Sequence, residues 1–549
     1  MKNITFLLGV MLCGIITLQA QKNTQEAPFA KPKLVVGIVV DQMRYDYLTR
    51  YWDKYGDDGF KRMISEGFNC RNNHFNYVPT KTAAGHATVY TGATPKVHGI
   101  IGNDWYDKVE DRMVYCTEDA TVESLGTDTD AGKMSPRRMI ASTVTDQLKL
   151  ATVSKGKVIG ISIKDRGAIL PAGHAADAAY WFHGKDEGHW ISSTFYMDEL
   201  PKWVTKFNKS DAAEKYKKVW NTLYDIDDYT ESIADENNFE GAFEGEKAAV
   251  FPHDLPKLWD DNGGFDILKG VAYGNSLTVD FAEAAVAGED LGKDNITDFL
   301  AVSFSSPDYV GHRYGVSAVE TEDTYLRLDK DLGRFLSFLD QKVGKGEYTV
   351  FLTADHGAVE VPSYLESLNM PGGNFSTKEL HDQLNTFLTE KFGSDKLVKN
   401  ISNEQIFLDQ ALLKKINIAS EDVETAIVNE IKNYKNVAEA YTGTAMRNGE
   451  FVHGVTHNLQ MGYNFKRSGD VLYILDPSYI PSSSKTGTTH GSGYAYDTHS
   501  PLLFFGKGIK QGETLKRTEI PDIANTICAL LGIAYPDGKT GEPISEVIE

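Results

Sequence analysis

Four stretches of the chain share one pattern, a run of apolar, largely β-branched residues that ends on polar, chemically capable ones. They are Lys33-Leu-Val-Val-Gly-Ile-Val-Val-Asp41, Lys157-Val-Ile-Gly-Ile-Ser-Ile-Lys164, Phe299-Leu-Ala-Val-Ser-Phe followed by Asp308, and Tyr348-Thr-Val-Phe-Leu-Thr-Ala-Asp355-His356. Unbroken apolar runs predict strands covered on both faces, as in a parallel sheet, because a half-exposed strand would alternate. Between them, amphipathic stretches at Gly59 to Glu66, Val319 to Leu339 and Thr377 to Phe392 predict helices. The alternation predicts an open α/β sheet, and in such sheets ligands bind at the carboxyl ends of the strands. The polar strand ends are therefore where chemistry is expected.

Two long segments, 167–297 and 357–489, interrupt the alternation and are expected to be insertions that build the rim of a site. The first holds an acidic, aromatic stretch from Tyr224 to Glu246, and the second has helices of its own, including Glu421 to Tyr434. Asp260-Asp261-Asn262-Gly263 lacks the spacing of a calcium loop and is expected to be a surface turn. No internal repeat or low-complexity tract is present.

The chain has 549 residues, 41% of them hydrophobic and 24% charged, with 26 Phe, 27 Tyr and 7 Trp, so it can bury a large core and is not a disordered chain. Its 56 Lys and Arg stand against 77 Asp and Glu, a net charge of −21 that repels polyanions and argues against nucleic-acid polymers as partners. An anionic substrate would have to be attracted locally.

At the start, Lys2 precedes a fifteen-residue apolar run from Ile4 to Leu18 and then Leu18-Gln19-Ala20, the layout of a secretory signal peptide cut after Ala20. The run is shorter than the roughly 20 residues that span a bilayer, so export rather than stable membrane insertion is expected. Cleavage would remove Cys13 and leave Cys70, Cys116 and Cys528, enough for one disulfide at most, with Cys70 and Cys116 the expected pair if any forms.

Asp308-Tyr-Val-Gly-His312 places a carboxylate and an imidazole one helical turn apart, and Asp355-His356 is an adjacent pair at another strand end. Asp41 and His490, the latter in Gly487-Thr-Thr-His490-Gly, complete a set of three Asp and three His. Mixed carboxylate and imidazole ligands suit zinc, and six exceed what one tetrahedral ion takes, so two ions are expected. Each fragment alone is weak; their joint placement after strands carries the argument. His499 competes with His490, which is preferred because its Gly-rich loop precedes the strand Leu502 to Phe505, whereas His499 sits at that strand's edge. His86, His98 and His174 are expected to be structural.

Tyr77-Val-Pro-Thr80-Lys81-Thr82-Ala-Ala-Gly-His86 to Gly92 reads as a loop entering a helix. Thr82 would lie at the helix start, where free N–H groups and the positive dipole end favour an anion. A threonine there is either a nucleophile poised by a metal or an ordinary N-cap, and local sequence leaves both open, with Thr80 a rival two residues earlier.

Thr82-Ala-Ala-Gly-His-Ala, Thr91-Gly92 and His98-Gly-Ile-Ile-Gly-Asn103, together with Asp41, Asp308-x-x-x-His312, Asp355-His356 and Thr-His490-Gly, resemble the motifs of the alkaline phosphatase superfamily. The branch is the one shared with nucleotide pyrophosphatase/phosphodiesterases, and the match runs from about residue 34 to the C-terminus. Ile163-Lys164-Asp165-Arg166-Gly167 is similar to the phosphate-binding Lys-x-Arg element of the PafA-type bacterial alkaline phosphatases, which use a threonine nucleophile. The resemblance implies a three-layer α/β sandwich with a central, mostly parallel sheet and two large insertions, formed by 34–549 as one catalytic domain after a signal peptide (1–20) and a linker (21–33). It implies one zinc on Asp308, His312 and His490 and a second on Asp41, Asp355, His356 and the Thr82 oxygen. It also implies Thr82 as nucleophile, with Asn103, Lys164 and Arg166 on the phosphate.

The implied reaction is hydrolysis of small phosphate monoesters through a phosphothreonine, by a monomeric protein in the periplasm or outside the cell. Lys164 and Arg166 favour a monoester, which presents more unsubstituted charged oxygen than a diester. The alternatives are a nucleotide pyrophosphatase/phosphodiesterase on the same bimetallic site and, in another class, a secreted zinc-stabilised binding protein without catalysis. A sulfatase is disfavoured because Thr82-Ala-Ala-Gly-His supplies no Cys or Ser in the Cys/Ser-x-Pro-x-Arg setting.

Overall fold

A computed structural model describes residues 31–185 and 187–549; the expected signal peptide and residues 21–30 of the expected linker lie outside the described residues. Residues from Pro32 to Glu549 form one compact unit. At its centre is a ten-stranded sheet in the order Gly512–Glu519, Phe68–His74, Leu502–Gly506, Tyr348–Thr353, Leu34–Val40, Asp298–Phe304, Val158–Ser162, Ala178–His183, His189–Ser193 and Ser124–Leu125. The five strands from Tyr348–Thr353 to Ala178–His183 are parallel neighbours, and antiparallel pairs flank them. All four strands predicted from apolar runs fall in this parallel core.

Strand Leu34–Val40 is buried at every position, and its alternate residues feed different cores. Leu34, Val36, Ile38 and Val40 pack with Phe60 and Met63, Leu277 and Phe281, and Leu328, Leu332 and Leu336, from helices Phe60–Glu66, Tyr273–Gly288 and Val319–Leu339. Val35 and Val39 face Ala84 and Val89, Val144 and Leu148, and Ile523, Ile527 and Leu531, from helices Thr82–Thr91, Val144–Ala151 and Asp522–Leu531. Covering both faces with helices gives three layers, and burial on both faces is why the strands carry no alternation.

The segment expected as the first insertion is partly sheet: Ala178–His183 and His189–Ser193 join the main sheet, and helix Tyr273–Gly288 covers one of its faces. The sheet reaches beyond the residue 167 limit through Ala-Ala-Tyr-Trp-Phe-His, whose aromatic residues favour a strand but which lacks the β-branched run that marks the other four. Segment 357–489 builds a separate four-stranded sheet in the order Val398–Ser402, Gln405–Leu408, Val471–Leu475 and Val437–Thr442, with a core shared with helices Thr377–Phe392 and Ser420–Ile431. Cys70, Cys116 and Cys528 are free and buried, so the pairing entertained for Cys70 and Cys116 does not form. Asn262 closes the Asp260–Gly263 turn by bonding the backbone of Glu244.

Candidate active site

The site is assembled from consecutive strand ends. Asp41 follows Leu34–Val40, Asp355 and His356 follow Tyr348–Thr353, Asp308 lies in the first turn of helix Ser306–Tyr314 after Asp298–Phe304, and Lys164 caps helix Asp165–Ala172 after Val158–Ser162. Because these strands are parallel neighbours, their ends converge at one edge of the sheet. The i, i+4 spacing sets Asp308 and His312 on one helical face, with His312 Nε2 3.2 Å from Asp308 Oδ1. His490 Nε2 approaches the same oxygen at 3.6 Å. His356 Nε2 lies 3.4 Å from both Asp41 Oδ1 and Asp355 Oδ2.

Asp308, His312 and His490 form one group able to hold a metal ion, and Asp41, Asp308 and His356 form another, so Asp308 stands between the two. The donor chemistry fits metals. His312, His356 and His490 each donate Nδ1–H to a backbone carbonyl, of Thr488, Gly357 and Thr80, which leaves each Nε2 lone pair facing the carboxylates. Asp41 Oδ1 and Asp355 Oδ2 are buried without a hydrogen-bond partner. Burial and then Asp41 push the Asp355 carboxyl well up, and burial resists the charge of Asp308 but His312 and Lys164 outweigh it and hold that carboxyl well down. Burial lowers His356 to about 4, keeping its ring neutral and able to ligate.

Thr82 is the first residue of the fully buried helix Thr82–Thr91, and its Oγ1 lies 3.4 Å from His356 Nε2. Asn103 Oδ1 accepts from the Ala83 N–H at 2.9 Å, so Asn103 stands beside the helix start and has its amide N–H groups to offer. Lys164 Nζ bridges the two halves, 2.6 Å from Asp41 Oδ2 and 2.5 Å from Asp308 Oδ2, over the Tyr309 ring at 4.9 Å. Burial disfavours the Lys164 charge, but Asp308 and Asp41 outweigh it and raise its pKa. Arg166 is steered by Tyr115, whose hydroxyl accepts from Nη1 at 3.0 Å and donates to Asp165 at 2.7 Å.

The rivals lie apart. The Thr80 hydroxyl donates to Ser492 O at 2.9 Å, and His499 stacks between Tyr45 and His74 with Nε2 on Arg71 O. His98 bonds Thr88 and His174 bonds Asp146, both away from the ligand groups. His86 is different: Nδ1 lies 2.8 Å from Thr82 O and 3.4 Å from Asp355 Oδ2, while Nε2 meets Ser303 Oγ at 2.8 Å, which ties helix Thr82–Thr91 to the strand ends. Sequence reasoning missed Gln42. It sits at φ 66 and donates its N–H to Asp355 Oδ1 and its side-chain amide to Asp308 Oδ1, so it holds one carboxylate from each half. A glutamine in left-handed backbone is uncommon, and nothing in an isolated sequence announces it.

Among the described residues no helix is long and apolar enough to cross a membrane. Residues 35–499 match the family model described as type I phosphodiesterase / nucleotide pyrophosphatase. The chain is 47% identical to a calcium-transporting ATPase of Myroides odoratus, over 94% of this chain and 95% of that one. It is 45% identical to alkaline phosphatase PafA of Elizabethkingia meningoseptica, over 99% and 98%. A crystal structure of wild-type alkaline phosphatase PafA superposes with a TM-score of 0.91 at 45% identity, covering 94% of this chain and 99% of that one. The chain therefore belongs to the type I phosphodiesterase / nucleotide pyrophosphatase family and, within it, to the PafA-type bacterial alkaline phosphatases.

Proposed function

We propose that the protein is a zinc-dependent phosphomonoesterase that works through a phosphothreonine on Thr82, as a monomer exported to the periplasm or the medium, on small phosphate esters rather than nucleic-acid polymers. One observation carries the reading: Thr82 Oγ1 adjoins one of two ligand groups while Lys164 lies between them. Asp41, Asp355, His356 and the Thr82 oxygen would hold one zinc, and Asp308, His312 and His490 the other. Such ions, when bound, supply Lewis acidity that lowers the pKa of a ligating hydroxyl and offsets charge on a departing oxygen.

The chain's own residues do the rest. The Thr82 oxygen attacks phosphorus, its bond to phosphorus forms as the ester P–O bond breaks in line, and the alcohol leaves on the side of Asp308, His312 and His490. Asn103 donates to one non-bridging oxygen from beside the helix start. Lys164 and Arg166 neutralise the others, with Tyr115 and Asp165 fixing the guanidinium. Water then attacks the phosphothreonine from the vacated side, releasing inorganic phosphate and restoring the Thr82 hydroxyl.

The test compares kcat/KM for nitrophenyl phosphate and the matching bis-ester with zinc-loaded protein at mildly alkaline pH. A large monoester preference is expected. A diester preference, the second reading favoured by the description of the family model, would remove Lys164 and Arg166 from the phosphate-binding role, and inactivity toward both would return the binding-protein alternative.

A further inference from the structure

Helix Ser306–Tyr314 carries two i, i+4 pairs side by side. Asp308 and His312 belong to the ligand groups, and Tyr309 and Arg313, one residue on in each case, form the neighbouring strip. That strip starts at the proposed phosphate clamp, since the Lys164 ammonium lies over the Tyr309 ring at 4.9 Å, and Arg313 follows one helical turn, about 5 Å, farther along. Tyr309, His312 and Arg313 line an open cavity of about 510 Å³, with Ser484, Thr486 and Thr489 from the loop before His490 on its other side. The His312 side chain is 36% exposed, so this ligand-group member meets the cavity directly.

The charge of the cavity runs against that of the chain. The sequence holds 77 Asp and Glu, yet none lines this cavity, and its permanent cation is Arg313. The guanidinium lies over the Phe243 ring at 4.1 Å and gives Nη1–H to Ala242 O at 2.9 Å, and among the described residues no carboxylate pairs with it. Those two contacts hold its plane and leave the rest of its donor fork to a ligand. The acids on the adjoining segment are turned elsewhere. Glu240 is buried and accepts from Asn237 Nδ2 at 2.6 Å, and Glu246 accepts from His253 at 2.8 Å and from the Phe243 N–H at 3.0 Å. A positioned guanidinium without a counter-charge matches a carboxylate or phosphoryl group, either of which accepts two of its N–H groups at once.

We propose that Arg313 binds a second anionic group in the leaving part of the substrate, so that the preferred esters are phosphomonoesters carrying a carboxylate or a further phosphoryl group. The leaving part sits between the Tyr309 and Arg313 strip and loop 482–489. This rests on the phosphatase reading, in which the alcohol departs on the His312 side. Without a local cation the preference would run the other way, because a chain of net charge −21 penalises each negative charge added to its substrate.

The test assays zinc-loaded protein at low salt on glycerol phosphate, phosphoglycerate and glycerol bisphosphate, which share a carbon skeleton and differ in the charge of the leaving part. For at least one charged ester kcat/KM is expected to exceed that for glycerol phosphate by about tenfold or more, a ratio that falls to about one in Arg313→Met. Calorimetric titration of the same esters into zinc-loaded Thr82→Ala reads the same order as affinity, without turnover. A ratio near or below one in the native chain, which needs no variant to detect, would overturn the assignment, as would equal affinities in the titration or a preference that survives in Arg313→Met. Preference for phosphoglycerate alone identifies a carboxylate as the group bound, and preference for glycerol bisphosphate alone a phosphoryl group. Hydrolysis of nitrophenyl phosphate with no preference among the three esters sinks this inference only, whereas inactivity toward every monoester sinks the phosphatase reading and the inference with it.

Discussion

Lys164 and Gln42 show how much of this site depends on single side chains. Three aspartates share one buried site and two residues tie them together: the Lys164 ammonium spans Asp41 and Asp308, and Gln42 reaches Asp355 with its backbone N–H and Asp308 with its carboxamide. Arg166 has no carboxylate of the ligand groups to hold, so its expected work falls on substrate. Arg166→Ala should therefore lower kcat/KM for a monoester by about 10²–10³ and leave the bis-ester far less affected, read from paired rates on one preparation. Thr82→Ala should abolish the burst of phosphoenzyme and lower kcat/KM by at least about 10³, while zinc content by elemental analysis changes little. The residues that could be read from sequence are those whose chemistry is visible in a motif at a strand end. Gln42, Tyr115 and Ser303 could not be, because their roles come from distant partners and carry no local pattern.

Helix Thr82–Thr91 lies so close to the end of strand Tyr348–Thr353 that a Cβ on Gly85 would meet Asp355 O at 2.2 Å and Asp355 Cβ at 2.7 Å. Gly85→Ala should push Thr82 and Asp355 apart and, on the proposed function, lower zinc occupancy together with activity, measured by elemental analysis and turnover. Unchanged occupancy would show that the helix has room to yield. Behind helix Ser306–Tyr314 the buried His253 donates to Glu246 at 2.8 Å and Glu320 at 3.1 Å. Burial alone would lower its pKa, but those two hydrogen bonds outweigh it and raise it to about 9, with Glu240, Asp235 and Tyr314 nearby. A pKa raised on folding stabilises fully below the unfolded value near 6.5 and fades as pH climbs through about 9. His253→Gln should thus cost several degrees of Tm at pH 6 and progressively less toward pH 10; a gap independent of pH would assign the loss to packing. Helices Val319–Leu339 and Thr377–Phe392 begin and end where the apolar periodicity does, since long amphipathic segments fix their own limits. The sheet's far edge was not legible, because Ala178–His183 is a strand by virtue of its neighbours.

The whole chain carries a net charge of −21, which opposes arrival of a phosphate dianion. Screening by raising salt from about 10 to 150 mM should therefore increase kcat/KM for nitrophenyl phosphate. A decrease would mean that the buried cations dominate the approach. Chelation should lower Tm, because a ligand bound only to the folded state stabilises it and its removal leaves three aspartates facing one another. The order of strands adds a temporal consequence. The first strand among the described residues is also in the middle of the sheet, with Leu34 paired to Asp298 on one side and Tyr348 on the other. Nearly two-thirds of the polypeptide, up to Thr353 of 549 residues, must be available before that strand has both of its neighbours. The ligand group of Asp41, Asp308 and His356 cannot exist earlier either, since those residues meet only through these pairings. Such non-local closure is slow. Until its middle strand is flanked on both sides, the chain is a thread with scattered carboxylates and imidazoles and no place to gather them.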